Sequence, residues 1–549
     1  MFVDGRHIDG HIVVDADICI VGAGAAGLTI ARQFAHSETR ICLLESGDLD
    51  FNWQTQALYE GRNVGLKYFA LDMCQIRYFG GNTNGWGGWC RPLDALDFSD
   101  RPWVEGGGWP FSLDELEPYY RAAHTVCQIP APDYEVEEIA RRLGAKPLPW
   151  DPAKLEATVY QFSPPTRFGR VYRDVIAAAR NITCILNANV LRINLTPDAR
   201  QATAVSVGCL GGPGFRVVAR HFVLAAGGIE NARLLLLSND IAANGIGNRH
   251  DLVGRYFMEH PHTMRVLTST QPPGAFSLYG IGFRKRALSV RLSLPPALQA
   301  AEGLLNYSAN IHPVYRAHTS AAWLSFRKLA LSLDPRRRCD PYIRMAPYEK
   351  KQVSLAQLYE IARRFDKVVA AAFLHVLQPN ALASGYLLES KSEQAPNWAS
   401  RVRLQHERDA FGLNRVALDW RTLSVDRRTV IRAEEIIDQE LRRLGIGELA
   451  PLHSSEIEGW PANLEGGWHQ IGTTRMSADP RRGVVDANGK VHDIANLFIA
   501  GSSVFPTCGA APPTLTIVAM ALRLADHLER VTRAQRRGVE MVTAEISGG

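Results

Sequence analysis

A chain of 549 residues is too long for one simple core, so two domains are the expectation. Its 61 Lys and Arg nearly balance 56 Asp and Glu, which argues against a dedicated nucleic-acid binder, and 46% hydrophobic with 21% charged residues is ordinary for a folded globular chain. Nine scattered cysteines, with no CxxC pair and no Cys/His cluster at metal spacing, point away from a disulfide framework or a metal site and toward reduced thiols in the cytoplasm. The opening MFVDGRHIDG has Asp and His where a secretion signal needs apolar residues, and no apolar run approaches the roughly 20 residues of a spanning helix.

Residues 17–47 predict strand, glycine turn, helix and strand. Gly22, Gly24 and Gly27 fit G-x-G-x-x-G directly after the apolar run 18–21, and Glu45 ends the next strand. In such a turn the first glycine permits the tight bend, the second lets backbone approach a pyrophosphate and the third lets helix pack on strand; a carboxylate at 45 can accept from ribose hydroxyls. The spacing does not separate FAD from NAD. Residues 77–92 follow, RYFGGNTNGWGGWCRP. Two glycine pairs, Gly80-Gly81 and Gly87-Gly88, bracket Thr83, Asn84 and Trp86, which suits a loop whose backbone lies against a flat ligand. A scaffold helix comes next, with Ser112 as N-cap and Glu115 three residues on.

From Tyr160 to Arg180 a helical pattern leads into two short strands around Asn187–Asn189. FVLAAGGIENARLLL is then a second strand, turn and helix, with Ala226 in its small-residue turn. Residues from about 262 to 460 lack such turns. KRALSVRLSLP predicts an alternating strand, and AAWLSFRKLALSLDPRRRCDP carries Trp323, Phe326, Leu329 and Leu333 among basic residues. That pattern fits a packed helix with a solvated basic face better than a helix lying on a membrane. SLAQLYEIARRFDKVVAAAFLHVL predicts one longer helix capped by Ser354, and SRVRLQHERDAFGLNRVALDW two strands joined near 411–414.

The chain closes with a lone His469 beside the Gly472-Thr473-Thr474 turn, a short strand over 496–500, the turn Gly501-Ser502-Ser503 and a helix from about Thr514. Strand, turn and helix N-terminus expose backbone N–H groups that can hold an electron-rich ring or a phosphate. Three strands that each end in a small-residue turn have the layout of a split dinucleotide domain. The other histidines at 260, 262 and 492 read as structural.

In order, and over nearly the whole chain, these segments resemble the glucose-methanol-choline (GMC) family of FAD-dependent oxidoreductases. The motifs are DICIVGAGAAG with LLESG, RYFGGNTNGWGG, GWPFSLDELEPYY, FVLAAGGIENARLLL, LVGRYFMEHP, EQAPNWASRVRL, and HQIGTTRM through NLFIAGSSVFPT to PPTLTIVAMALRLADHL. The wording around GTTRM and GSSVFPT is most similar to the bacterial branch acting on sugars and polyols. The resemblance implies an α/β fold: a Rossmann-like FAD-binding domain of GMC/p-hydroxybenzoate-hydroxylase-like topology with an inserted α+β substrate domain on an antiparallel sheet. Residues 1–100, 155–260 and 462–540 would form the discontinuous FAD domain, 101–154 a connecting segment and 261–461 the substrate domain. Gly22, Gly24, Ala26 and Gly27 would line the pyrophosphate, Glu45 the adenosine ribose and Val190 the adenine. Gly81 to Gly88 would wrap the flavin, with Gly501-Ser502 and Thr514-Leu515 at the ribityl chain and pyrimidine edge. His469 falls at the catalytic histidine.

Two departures from the family pattern stand out. Some members attach FAD through a histidine where this chain has Gly85, so FAD is expected to be held without a covalent bond. Where the family usually places a second catalytic Asn or His, this chain has Pro512, which offers neither donor nor acceptor side chain. The implied reaction is oxidation of a sugar, polyol or other small hydroxylated substrate to a carbonyl, with His469 as base and oxygen, a quinone or a redox protein as final electron acceptor. The alternatives are a flavin-dependent lyase, isomerase or desaturase, and a flavin-binding protein without catalysis.

Overall fold

Strand Val13–Val21 is buried at every position from Ala16 onward. An unbroken buried run of this kind, apolar from Ile18 to Val21, belongs to a parallel strand covered on both faces. It is central to an eight-stranded sheet in which Phe2–Asp4, Ile182–Leu186, Ile41–Leu44, Val13–Val21 and Phe215–Leu224 lie side by side and parallel. The far end of Phe215–Leu224 also pairs in parallel with Leu497–Ile499, and its near end pairs antiparallel with Ala202–Gly208, which carries Asn189–Leu195 on its outer side. The structure is a computed structural model and describes residues 1–164, 166–271, 275–280, 288–333, 353–377, 382–451 and 459–547.

Helix Ala25–Gln33 packs against the C-terminal helix Thr514–Ser547, which in turn packs against Leu113–Val126. Leu28, Ile30, Leu116, Leu515, Val518 and Leu522 close this layer over the parallel sheet. Each such side chain contributes roughly 1.5–3 kcal/mol by leaving water. Ser112 stands at the N-cap of Leu113–Val126, but its side chain makes no capping hydrogen bond, so the box expected with Glu115 does not form.

A second sheet is antiparallel throughout, in the order Gly447–Leu449, His262–Ser269, Gly385–Ser392, Tyr307–Val314, Leu288–Ser293, Glu156–Phe162 and Trp89–Cys90. Helix Ser424–Arg443 lies along it with Ala433, Ile436, Ile437 and Leu441 in its core. Two members come from outside 261–461. Trp89–Cys90 arises from the second glycine pair, and Glu156–Phe162 includes Tyr160, where the sequence pattern reads as helix. The β-forming run Thr158-Val159-Tyr160 fits a pleated, buried surface and overrides that spacing. The helices of the segment are the shorter Phe168–Val171 and Arg173–Ala178.

The expected hairpin forms as Arg401–Arg408 and Asn414–Asp419 and joins Arg62–Asn63 in a separate small sheet. Ser354 caps its helix in a box with Gln357, yet the expected long helix is two, Leu355–Arg363 and Phe365–Leu377, because the backbone leaves the helical region at Arg364. Trp323 is buried in a small cluster with Ile361 and Val368, and Phe326 and Leu329 pack against it, so this stretch is a packed helix. The Leu333 side chain, the basic run at 334–340 and residues 285–287 lie outside the described residues. Among the described residues no helix is long and apolar enough to cross a membrane, and the eight described cysteines are free and buried.

Candidate active site

The first glycine turn is built by contacts that a side chain would break. At Gly22, with φ +102°, a Cβ would stand 2.7 Å from the Ala225 carbonyl oxygen, and at Gly27 it would stand 1.9 Å from the Gly22 oxygen. Gly27 therefore seals helix to strand and is not itself exposed to the cavity, whereas a Cβ on Gly24 would meet no protein atom within 4 Å. Gly24 is the N-cap of Ala25–Gln33, so its backbone opens into a cavity where the helix leaves N–H groups unpaired. Glu45 is buried beside it and accepts from the N–H groups of Ala23 at 3.0 Å and Gly47 at 2.8 Å. Burial pushes its carboxyl upward and these hydrogen bonds oppose the shift.

The same cavity is also lined by Val190, Ala226, Gly81, Thr83, Trp86, Gly87 and Gly88, and by His469, Gly501, Ser502 and Thr514. Gly81 is drawn against the first turn, where its Cβ would stand 3.0 Å from Gly24 Cα. The Thr83 hydroxyl donates to the Gly80 carbonyl and accepts from the Phe168 N–H, and Trp86 donates to the Thr166 carbonyl at 2.8 Å, so the loop is anchored from behind. Two of the sequence's candidates are turned away from the cavity. The Asn84 amide donates to the Phe79 carbonyl at 2.9 Å, and Leu515 is fully buried in the core under the helix start. Ala26 lines the cavity at the first turn of its helix.

On the cavity wall, His469 follows Trp468, whose φ of +64° is a left-handed conformation that a bulky residue adopts only when its surroundings enforce it. The enforcing group is Glu259. Its Oε2 accepts from the N–H groups of His260 at 2.9 Å and Gly467 at 2.7 Å; its Oε1 accepts from the His469 N–H at 2.8 Å and from the Tyr68 hydroxyl. A fully buried carboxylate thus pins the backbone on both sides of Trp468. Downstream, the Ser502 hydroxyl donates to the Gln470 carbonyl and the Gly472 N–H to the Ser502 carbonyl, tying this loop to the Gly501 turn. Glu259→Gln, which puts an amide N–H₂ where one of these acceptors stood, is expected to cost about 1–3 kcal/mol of stability. Denaturant unfolding of the two proteins checks this.

His469 meets two other imidazoles. Its Nδ1 lies 2.8 Å from His260 Nδ1, and the His260 Nε2 lies 2.8 Å from the Gly509 carbonyl oxygen. The His262 ring, on strand His262–Ser269, is centred 6.4 Å from that of His469 and lines the same cavity. His492 is elsewhere, bonded to the Ser477 carbonyl. Glu259, His260 and His469 present ligand-type atoms within 4.8 Å of one another, but the carboxylate oxygens are already occupied by N–H and O–H donors and the two rings bond to each other.

Residues 396–521 match the family model GMC_oxred_C, GMC oxidoreductase. The chain is 25% identical over 563 residues to paromamine 6'-oxidase of Streptomyces fradiae, covering 93% of this chain and 90% of that one. It is 24% identical over 589 residues to the fructose dehydrogenase large subunit of Gluconobacter japonicus, covering 94% and 98%. The chain thus carries a GMC oxidoreductase C-terminal domain over residues 396–521. The fold of the crystallised pyridoxine 4-oxidase from Mesorbium loti superposes with a TM-score of 0.54 at 19% identity, over 94% of this chain and 99% of that one.

Three side chains that the sequence did not single out line the cavity near Glu45. Arg77 lies 4.3 Å from the Tyr59 ring centroid, pairs with Glu230 at 3.3 Å and donates to the Ser46 hydroxyl, and Tyr59, Arg77 and Glu230 all line the cavity. Arg77 directly precedes the aromatic pair that opens the glycine loop, a position visible in the sequence only once the loop is known to face Glu45. Pro512 also lines the cavity, next to Thr514. Cys90 and Cys508 are buried outside it, and Cys508 is engaged by the Gln394 backbone.

Proposed function

We propose that this protein binds FAD without a covalent bond and oxidises an alcohol group of a small, hydroxylated substrate of the sugar or polyol class to a carbonyl, with His469 as general base. One observation carries the reading: the backbone at Gly24 and the imidazole of His469 open onto a single continuous cavity long enough to include both glycine loops. Glu45, Arg77 and Val190 would hold the adenosine half, Gly22 and Gly24 the pyrophosphate, and Gly81 to Gly88 with Gly501, Ser502 and Thr514 the flavin half. FAD held there supplies the acceptor for the hydride that leaves the carbinol carbon.

The protein's own part is removal of the hydroxyl proton. An alcohol does not release hydride while its oxygen keeps that proton, and a neutral imidazole is matched to take it near neutral pH. Trp89, Lys391 and His262, whose ring is in edge contact with that of His469, line the same cavity; the Lys391 ammonium lies 4.8 Å from the Trp89 ring centroid and 3.4 Å from Glu389. An aromatic wall with several N–H donors suits a polar ring carrying hydroxyls. His262 is the second imidazole available to the substrate oxygen where Pro512 offers none. The relatives named above include an oxidase and a dehydrogenase with sugar-type names, in agreement with this class.

Anaerobic mixing with a panel of sugars, aminocyclitols and polyols tests the reading. Lasting bleaching of the flavin with formation of the carbonyl product is expected for at least one of them. Turnover with the flavin oxidised throughout would instead favour the lyase, isomerase or desaturase reading that Pro512 raises. Because Gly85 presents no side chain to the cofactor, denaturation followed by filtration should leave no yellow colour on the chain.

A further inference from the structure

We propose that His260 is a positioning residue: through its bond to the Gly509 carbonyl it fixes His469 as the Nδ1–H tautomer and so leaves the lone pair on Nε2 as the proton acceptor. The proposal rests on His469 being the base and adds which of its two nitrogens takes the proton and what decides it.

A chain of three polar groups sets the tautomer. A backbone carbonyl only accepts, so the 2.8 Å contact between His260 Nε2 and the Gly509 oxygen requires a proton on that Nε2. A neutral imidazole carries one N–H, and His260 is fully buried, which pushes its pKa down to about 4 and keeps it neutral. Its Nδ1 is therefore an acceptor. The atom 2.8 Å away is the Nδ1 of His469, which must be the donor. The single N–H of neutral His469 is then spent on His260, and Nε2 carries the unshared pair. In water the opposite tautomer, with the proton on Nε2, is the preferred one for histidine, and it would present a donor to the substrate hydroxyl instead of a base.

The arrangement also serves the proton once it has moved. When Nε2 takes the hydroxyl proton, the Nδ1–H bond to His260 becomes charge-assisted and shortens without any group changing place. Glu259 accepts from the backbone N–H groups of both His260 and His469, at 2.9 and 2.8 Å, so one carboxylate ties together the two segments that carry the imidazoles. The ring planes meet at 84° with centroids 4.8 Å apart, an edge contact set by the N–H to lone-pair bond and not by stacking.

Two variants separate this role from a packing role. His260→Phe fills much of the same volume but accepts no hydrogen bond. His260→Gln can accept from His469 Nδ1–H with its amide oxygen and donate to the Gly509 carbonyl with its amide nitrogen. The first should slow anaerobic flavin reduction by ~10²-fold or more, the scale associated with a base held in the wrong tautomer, and the second should restore most of the rate. An activity-independent reading comes from long-range ¹H–¹⁵N spectra of apoprotein labelled at its histidine ring nitrogens, with the His469 signals identified by their loss in His469→Ala. Wild type should show a proton on His469 Nδ1, and His260→Phe a shift toward Nε2.

A wild-type His469 protonated on Nε2, or a His260→Phe variant that reduces its flavin at the wild-type rate, overturns the proposal. Should His260→Phe fail to fold, the wild-type spectrum and the His260→Gln rate still decide. If His469→Ala itself leaves flavin reduction unchanged, it is the assignment of the base that falls.

Discussion

His469→Ala is expected to reduce flavin by substrate ~10²–10⁴-fold more slowly than wild type under anaerobic conditions, equivalent to about 3–5 kcal/mol of barrier. The loss should appear in the limiting rate at saturating substrate, because the imidazole's contribution grows only as the hydroxyl proton moves. Flavin content should be unchanged, since none of the backbone contacts that shape the turn at Gly22, Gly24 and Glu45 involves the His469 ring. Stopped-flow absorbance of the oxidised flavin gives the rate directly. An undiminished rate would remove His469 from the chemistry and leave His262 as the next imidazole to test.

The second large effect concerns two glycines of one motif that differ in what surrounds them. Gly27→Ala puts a methyl group 1.9 Å from a backbone oxygen that cannot move without opening the strand, so the apoprotein should lose stability at or above the upper end of the roughly 1–3 kcal/mol typical of overpacking. Gly24→Ala meets no protein atom, and its backbone at φ −84° and ψ −162° is open to alanine, so the apoprotein should unfold as wild type does. Its methyl group instead occupies space that the proposal assigns to the pyrophosphate, and FAD should be lost on gel filtration. Thermal unfolding of both apoproteins and their flavin-to-protein ratios check the pair. A Gly24→Ala protein that retains FAD as wild type does would show that the phosphates lie elsewhere.

The same contrast explains why this motif is legible in the amino-acid sequence. A glycine spacing encodes demands on the backbone, close approach at 22 and 27 and open space at 24, and backbone demands are local, so G-x-G-x-x-G can be read from residues alone. The second β-turn-α unit and the Gly501 turn are legible for the same reason. Side-chain directions are not. Asn84 sits inside the glycine loop and still points at Phe79, and Leu515 begins a helix at the cavity yet belongs to the core, because a loop's neighbours decide which way its side chains turn. Strand Glu156–Phe162 carries a helical spacing in part, since its partner, Leu288–Ser293, lies far along the chain and supplies the burial that makes it a strand. The pairing of His260 with His469 is the hardest case. LVGRYFMEHP is recognisable as a motif, but its histidine acquires a role only when the fold brings it beside a loop two hundred residues later.

Strand Phe215–Leu224 is held between Val13–Val21, among the earliest strands of the parallel set to leave the ribosome, and Leu497–Ile499, the last of them. A nascent chain can therefore assemble one half of that sheet early, but the turn at Gly501 and the helix that roofs it arrive only after the whole of 225–496 has been made. Until then the partly built sheet exposes the flank of Phe222–Leu224 to any passing strand. Premature termination anywhere before Leu497 should consequently yield insoluble material and not a shorter flavoprotein.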